Sequence, residues 1–291
     1  MPLRHVLLAL VVVAVWGLNF VFIKLSVEAL PPLLVAGLRF LLAAVPAVFF
    51  IRPPRASFWL VVAYGLSLGV ALYSLLNLAI AWGMPAGLSS LVLQTQAFFT
   101  MALAFLMLGE RPGRFQIMGA AIAFAGIGVI ALERLGQTAL LPLGMTLLAA
   151  ASWGLANVLT RKAGKVDALS FTVWGALAAP LPLLALSFWL EGGDVVMAAL
   201  RNFGWAELGL IAFQAWPATL VAGGIWSWLL LRHPASVVAP FTLLVPVTGL
   251  LSGFLLLGER VSPVEILGTL LVIAGLVVTV LRRPRLVAPA A

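Results

Sequence analysis

The sequence predicts an all-α integral membrane protein: ten transmembrane helices forming two five-helix repeats of inverted topology around a central cavity. Three observations carry that expectation. Of 291 residues, 64% are apolar and 9% charged, whereas a soluble domain carries about 25% charged residues. The apolar residues fall into ten runs, near 6–24, 33–51, 58–82, 86–108, 115–132, 141–160, 168–190, 208–231, 235–257 and 264–281. Most approach the roughly 20 helical residues needed to cross about 30 Å of hydrocarbon. Finally, the string Leu-Gly-Glu-Arg occurs at 108–111 and again at 257–260, an offset of 149.

The elements follow in order. The first run opens Met1-Pro2-Leu3-Arg4-His5. It is as long as a span, carries Trp16 and Asn19 and lacks an A-x-A-like cleavage site, so it reads as a retained helix and not a secretory signal. Short breaks such as Arg52-Pro53-Pro54-Arg55, Gly83-Met84-Pro85 and Arg232-His233-Pro234 separate later runs with turn-forming residues. The longest connection expected is a seventh loop near 191–206. None of the runs alternates apolar and polar residues, which argues against a closed barrel.

Lys and Arg distribute unevenly when the ten runs are threaded back and forth. One side holds Arg4, Arg52, Arg55, Arg111, Arg114, Arg161, Lys162, Lys165, Arg232, Arg282, Arg283 and Arg285. The other holds Lys24, Arg134, Arg201 and Arg260. Twelve against four places both termini in the cytoplasm by the positive-inside rule.

The two Leu-Gly-Glu-Arg strings close the fourth and ninth runs, five crossings apart. An odd number of crossings per unit leaves the second copy of a tandem duplication upside down, so Glu110 and Glu259 are expected on opposite faces. Gly119 and Ala125-Gly126 match Gly268 and Ala274-Gly275 at the same offset of 149, and Trp16-Gly17-Leu18 matches Trp153-Gly154-Leu155 at 137. The halves are expected at 1–134 and 135–291. Inverted repeats of this kind recur in secondary transporters.

The string WGLNFVFIK lies late in the first run, PPLLVAGLRF opens the second, and LGER precedes the fifth helix of each half. In that order, over residues 6–281, the chain resembles the drug/metabolite transporter superfamily, EamA-type branch. Within that branch it is most similar to the YddG-type exporters of aromatic and other amino acids. The resemblance implies a central cavity between the halves and export of a small metabolite by alternating access. It also implies a monomer in the lipid bilayer of a bacterial inner membrane.

Candidate site residues come from polarity at depth. Trp59, Trp82, Trp189 and Trp228 lie near run ends, the usual headgroup level for indoles. Trp16, Trp153 and Trp216 sit roughly 13–18 Å deep at 1.5 Å per residue, where an indole N–H needs a partner. Asn19, Asn157 and Asn77 follow Trp16, Trp153 and Tyr73 by three or four positions and share their helix faces. Gln94, Thr95 and Gln96 lie mid-run in the fourth helix and Gln214 mid-run in the eighth. An unpartnered carboxamide in hydrocarbon costs several kcal/mol, so these groups point inward. They either stitch helices together or line a shared cavity. The candidate substrate-binding set is therefore Trp16, Asn19, Tyr73, Asn77, Gln94, Trp153, Asn157, Gln214 and Trp216.

A second set, gating or structural, comprises Lys24, Glu28, Arg39 and Pro246. Lys24 and Glu28 are four apart and suited to pair with each other or with Arg39. Arg39 is the one strong charge inside a run, where it either snorkels to the outer interface or serves a substrate or gate. Pro217, Pro240 and Pro246 interrupt helices by removing a backbone donor.

Several functions are excluded or disfavoured. Asp and Glu are absent from the middle of every run, so a buried-carboxylate proton relay has no carrier and facilitated movement is expected. The two histidines, His5 and His233, lie at run ends, and cysteine is absent. No phosphate loop, H-E-x-x-H or nucleophile–base pair occurs, so an integral-membrane lipid enzyme is a remote alternative. No cofactor or metal is expected, and the scattered basic residues give no nucleic-acid patch. Aromatic rings and carboxamides with little fixed charge suit a neutral or zwitterionic substrate, an amino acid foremost. A nucleotide sugar, sugar phosphate or drug is the alternative, less favoured for the phosphorylated cargoes because phosphates need convergent Lys or Arg.

Overall fold

The computed structural model describes residues 1–109, 112–134, 140–164, 166–232 and 239–280. Helices account for the regular structure of these residues, and no strand occurs among them. Among the described residues, six helices are long and apolar enough to cross a membrane: α1 (Leu3–Ala29), α3 (Phe58–Ala81), α4 (Ala86–Leu108), α6 (Leu140–Ala163), α7 (Leu169–Arg201) and α8 (Trp205–Trp226, continuing helical to Arg232). Four shorter apolar helices accompany them among the described residues: α2 (Pro32–Val48), α5 (Arg114–Arg134), α9 (Val245–Leu257) and α10 (Pro263–Val280).

Local sequence explains most boundaries. α1 stops at Leu30, which precedes Pro31 and is extended at φ −136°, ψ 155°, because proline disfavours the helical region for the residue before it. α2 then starts with Pro32 in its first turn, where a missing N–H costs nothing. α4 ends at Gly109 (φ +70°) and α9 at Gly258 (φ +65°), a left-handed closure that suits glycine. Asp167 accepts a hydrogen bond from the Ser170 N–H to start α7.

Three long helices widen locally. α3 widens into a π-helical stretch at Leu66–Leu72, α7 at Ser187–Gly192 and α8 at Gln214–Val221. The last contains Pro217, whose missing N–H breaks the α-helical ladder. The loop expected near 191–206 is instead largely helix, because α7 continues through Gly193–Arg201. Its polar and apolar residues alternate with helical period, so Val196 is buried while Asp194 and Arg201 face out.

The exterior is apolar. Phe50, Trp59 and Trp205 are largely exposed, each at or near a helix end, as expected of rings at a lipid headgroup layer, and Trp189 is exposed on the π-helical stretch of α7. Inside, small residues let helices cross closely. A β-carbon on Gly126 of α5 would lie 2.6 Å from the Gly268 carbonyl of α10, and one on Gly275 of α10 would overlap the Gly119 carbonyl of α5. The two contacts are reciprocal under an offset of 149. A second crossing also occurs twice: Gly17 of α1 abuts Thr248 and Gly249 of α9, and Gly154 of α6 abuts Phe99 and Thr100 of α4. The π-helical stretches of α3 and α8, and the thirteen-residue helices Gln96–Leu108 and Val245–Leu257, stand at nearly or fully the same offset.

Candidate functional site

The polar residues predicted at depth fall into two clusters. The larger joins α1, α2, α3 and α8. The Gln214 side chain, fully buried, donates from Nε2 to Ser26 Oγ at 2.7 Å. Ser26 Oγ donates in turn to the Phe22 carbonyl at 2.7 Å. Thr219 Oγ1 donates to the Gln214 backbone carbonyl at 2.8 Å and accepts from Arg39 Nη2 at 3.0 Å. The Arg39 guanidinium carbon stands 4.1 Å from the Tyr73 ring centroid, a cation–π contact. Asn77, one turn beyond Tyr73, donates from Nδ2 to the Pro32 carbonyl at 3.1 Å.

The smaller cluster lies between α4 and α6. Asn157 Nδ2 donates to Gln96 Oε1 at 2.7 Å and to Thr100 Oγ1 at 3.0 Å. A cavity of about 200 Å³ opens beside it, lined by Thr100, Met101, Gln116 and Arg161 among others. A second, of about 430 Å³, lies between Arg52–Arg55 and Asp167–Ser170. Neither is lined by any of the nine residues expected to bind substrate.

The remaining expected residues are placed as follows. Trp16 donates its indole N–H to the Ala218 carbonyl at 3.0 Å and stacks obliquely on Trp226 at 5.4 Å. Trp153 packs, half-buried, against the core around α1 and α3. Asn19 is buried, and its Oδ1 has no partner. Gln94 is buried where α4 is interrupted, the ladder there tightening to Gln94 N–H→Leu91 O and Thr95 N–H→Val92 O. Trp216 is 44% exposed and donates to the Leu42 carbonyl at 3.2 Å. Pro246 is buried in the first turn of α9, where its ring is tolerated.

In the second set, Lys24 and Glu28 pair at 3.0 Å. Arg39 does not join them and does not snorkel: it is 3% exposed. α2 directs it inward onto α3 and α8.

Four residues that hold these helices together escaped sequence reasoning. Ser26 and Thr100 each also bond a carbonyl four residues back, which any Ser or Thr in an apolar helix does, so no signal distinguished them. Glu191 and Glu259 read as loop residues. Glu191 accepts from the Leu33 and Leu34 N–H groups at 2.7 and 3.3 Å and from Ser187 Oγ at 2.6 Å. Glu259 accepts from the Ala86 and Gly87 N–H groups at 2.6 and 2.9 Å. The available signal was the preceding proline: Pro31 and Pro85 provide no side-chain cap to α2 and α4, so their first N–H groups need a distant acceptor. Glu110, in the first Leu-Gly-Glu-Arg, lies outside the described residues.

The pattern of the EamA-like transporter family matches residues 3–132 and 140–281, nearly the whole chain. The chain belongs to the EamA-like transporter family. Among curated relatives of this EamA-like transporter, a probable amino-acid metabolite efflux pump of Salmonella typhimurium (strain LT2) is 43% identical over 94% of this chain and 93% of its own. A protein of the same name from Escherichia coli (strain K12) is 42% identical over the same shares. A solved crystal structure with 18% identity covers 99% of both chains at a TM-score of 0.65, a likeness of fold. This EamA-like chain is thus a multi-pass membrane transporter and not an enzyme.

Proposed function

We propose that this transporter exports small neutral or zwitterionic metabolites, amino acids including aromatic ones foremost, by alternating access between two inverted five-helix halves. The halves are 1–134 and 135–291, with ten membrane crossings in all and both termini cytoplasmic in a bacterial inner membrane. The observation that carries the architecture is the reciprocal pair of glycine contacts between α5 and α10, Gly126 with Gly268 and Gly275 with Gly119. Two units related by a two-fold axis touch in this isologous way, residue i on j and j on i. The repeated crossing of Gly17 on α9 and Gly154 on α4 supports the same axis. The family's match to two successive stretches supports it independently.

The substrate reading rests on the names of the 42–43% identical relatives and on the buried carboxamides Asn19, Asn77 and Gln214, joined by Tyr73, Trp16, Trp153, Gln94 and Asn157. The bundle acts as a monomer, with the two clusters as stations toward opposite ends of the path. Rocking of one half against the other exposes each in turn. No carboxylate stands at mid-depth to carry a proton, so movement follows the substrate gradient.

Two experiments test this. The chain has no cysteine, so single-cysteine variants are clean probes. Pro112→Cys and Val261→Cys, equivalent under the offset of 149, should react with an impermeant maleimide from opposite faces of inverted vesicles. Reaction from one shared face rejects the inverted repeat. Counterflow of labelled phenylalanine and other amino acids in proteoliposomes should proceed with no imposed pH gradient, and strict dependence on that gradient defeats the facilitative mode.

A further inference from the structure

Arg39 poses a question that packing does not answer. It is 3% exposed, inside an apolar helix, and no carboxylate stands against it among the described residues. Of its donor nitrogens, Nη2 serves Thr219, while Nε and Nη1 have no partner. An uncompensated guanidinium at membrane depth is among the most costly groups a protein can bury. Tyr73, whose ring lies at 4.1 Å and whose hydroxyl also faces the guanidinium, offsets only part of that cost.

The same cluster holds the opposite deficit. Ser26 gives its proton to the Phe22 carbonyl, so Gln214 must present its NH2 to Ser26 and leave Oε1 over. The Pro32 carbonyl can only accept, so Asn77 must present its NH2 there and leave Oδ1 over. Both oxygens are buried without a donor. Gln214 is tied to Arg39 through Thr219, and Asn77 lies one turn from the Tyr73 ring on which Arg39 rests. Unused donors on a fixed cation and unused acceptors on two neutral carboxamides complement one kind of molecule: a carboxylate joined at short range to an ammonium.

We propose that Arg39, Asn77 and Gln214 form the binding site for the zwitterionic head of a free α-amino acid. Arg39 Nε and Nη1 grip the carboxylate, and Asn77 Oδ1 and Gln214 Oε1 receive the ammonium. The inference deepens the transport reading given above and rests on it for the identity of the cargo. It names which end of the cargo is recognised and by which atoms. A guanidinium presents paired donors that match a carboxylate, and an oxygen pair without protons of its own accepts from an ammonium without charge repulsion. The side chain of the cargo is left to the aromatic residues, so the head group is obligatory and the side chain negotiable.

The test is ligand-induced thermal stabilisation of the purified full-length chain in detergent. It uses pooled common L-amino acids, their pooled amides, which lack the carboxylate, and their pooled N-acetyl derivatives, which lack the ammonium. Free acids should stabilise the wild type, with the amides about ten- to a hundredfold weaker by apparent affinity, the loss expected for a charge-assisted hydrogen-bonded pair. N-acetylation should weaken binding less. Arg39→Met should abolish the preference for acids over amides and raise the melting point of the ligand-free protein, since an unpaired buried charge is removed. Arg39→Lys, which keeps the charge but not the fork, should retain a reduced preference and guards against a methionine variant that does not fold. Equal stabilisation by acids and amides, or none by any free acid, overturns the head-group site. Counterflow separates the two readings: acid-selective stabilisation without flux leaves the site standing and rejects transport, whereas flux without acid selectivity does the reverse.

Discussion

Replacing Glu259 by Ala leaves the Ala86 and Gly87 N–H groups at the start of α4 without an acceptor. Pro85 supplies none, having no side-chain cap of its own. The two bonds measure 2.6 and 2.9 Å, lengths typical of donors to a charged oxygen. Each such bond contributes about 1.5–3 kcal/mol net. Glu259 is only partly buried, which discounts the pair to about 2–3 kcal/mol in all. Glu259→Gln retains one carbonyl oxygen and should lose about 1–2 kcal/mol. The space for the carboxylate is made by Gly87 and Gly253, where an added β-carbon would crowd Glu259 Oε2, so Gly253→Ala should reproduce much of the loss by pushing the carboxylate away. Reversible unfolding of the purified protein in mixed micelles of rising SDS fraction reads these differences. If the alanine and glutamine variants both stay within about 0.5 kcal/mol of the wild type, the usual range of a surface change, the carboxylate does not secure α4.

Further outcomes follow from other contacts. Gly126→Ala and Gly275→Ala each force a methyl group onto a facing backbone carbonyl and should destabilise by similar amounts, about 1–3 kcal/mol. A large cost at one site and none at the other would contradict the reciprocal packing. Asn157→Leu removes the donor shared by Gln96 and Thr100 and should slow counterflow severalfold while the melting point moves by a few degrees. Unchanged flux would remove the smaller cluster from the path. Trp216→Phe loses one outer bond to the Leu42 carbonyl and should carry substrate at the normal rate, whereas Trp16→Phe, which frees the Ala218 carbonyl inside the bundle, should not. Equal flux in the two variants would refute that distinction.

The helices were legible because lipid imposes a length and a composition that the chain cannot disguise: apolar runs such as 58–82 and 86–108 became α3 and α4 nearly residue for residue. The Lys24–Glu28 pair was legible because four positions on one helix fix the distance. What failed to show was anything created by folding. Glu191 and Glu259 act on residues 157–158 and 172–173 positions away, and no local pattern marks such a partner. The amphipathic end of α7 read as a loop because charges and glycines interrupt its apolar run. Arg39 could be located but not aimed. The direction of a side chain on α2 depends on which neighbours that helix meets, and only the packed bundle shows it turned onto Tyr73 and Thr219 and away from the interface. The midplane carboxamides were legible as polar groups in need of partners, but Trp216 shares their depth and is 44% exposed, since depth along a helix says nothing about bearing around it.

The widened turn of α8 has a geometric consequence. In a regular α-helix successive residues turn by about 100°, so positions five apart diverge by about 140° around the axis. Gln214 and Thr219 are five apart, yet they touch, because the π-helical winding of Gln214–Val221 brings i and i+5 over one another. That surplus residue is what threads Ser26, Gln214, Thr219 and Arg39 onto one continuous filament of contacts. Deleting a single residue between Gln214 and Thr219 would put them four apart, swing Thr219 to a different flank and sever the filament at its middle, with every participating side chain still present.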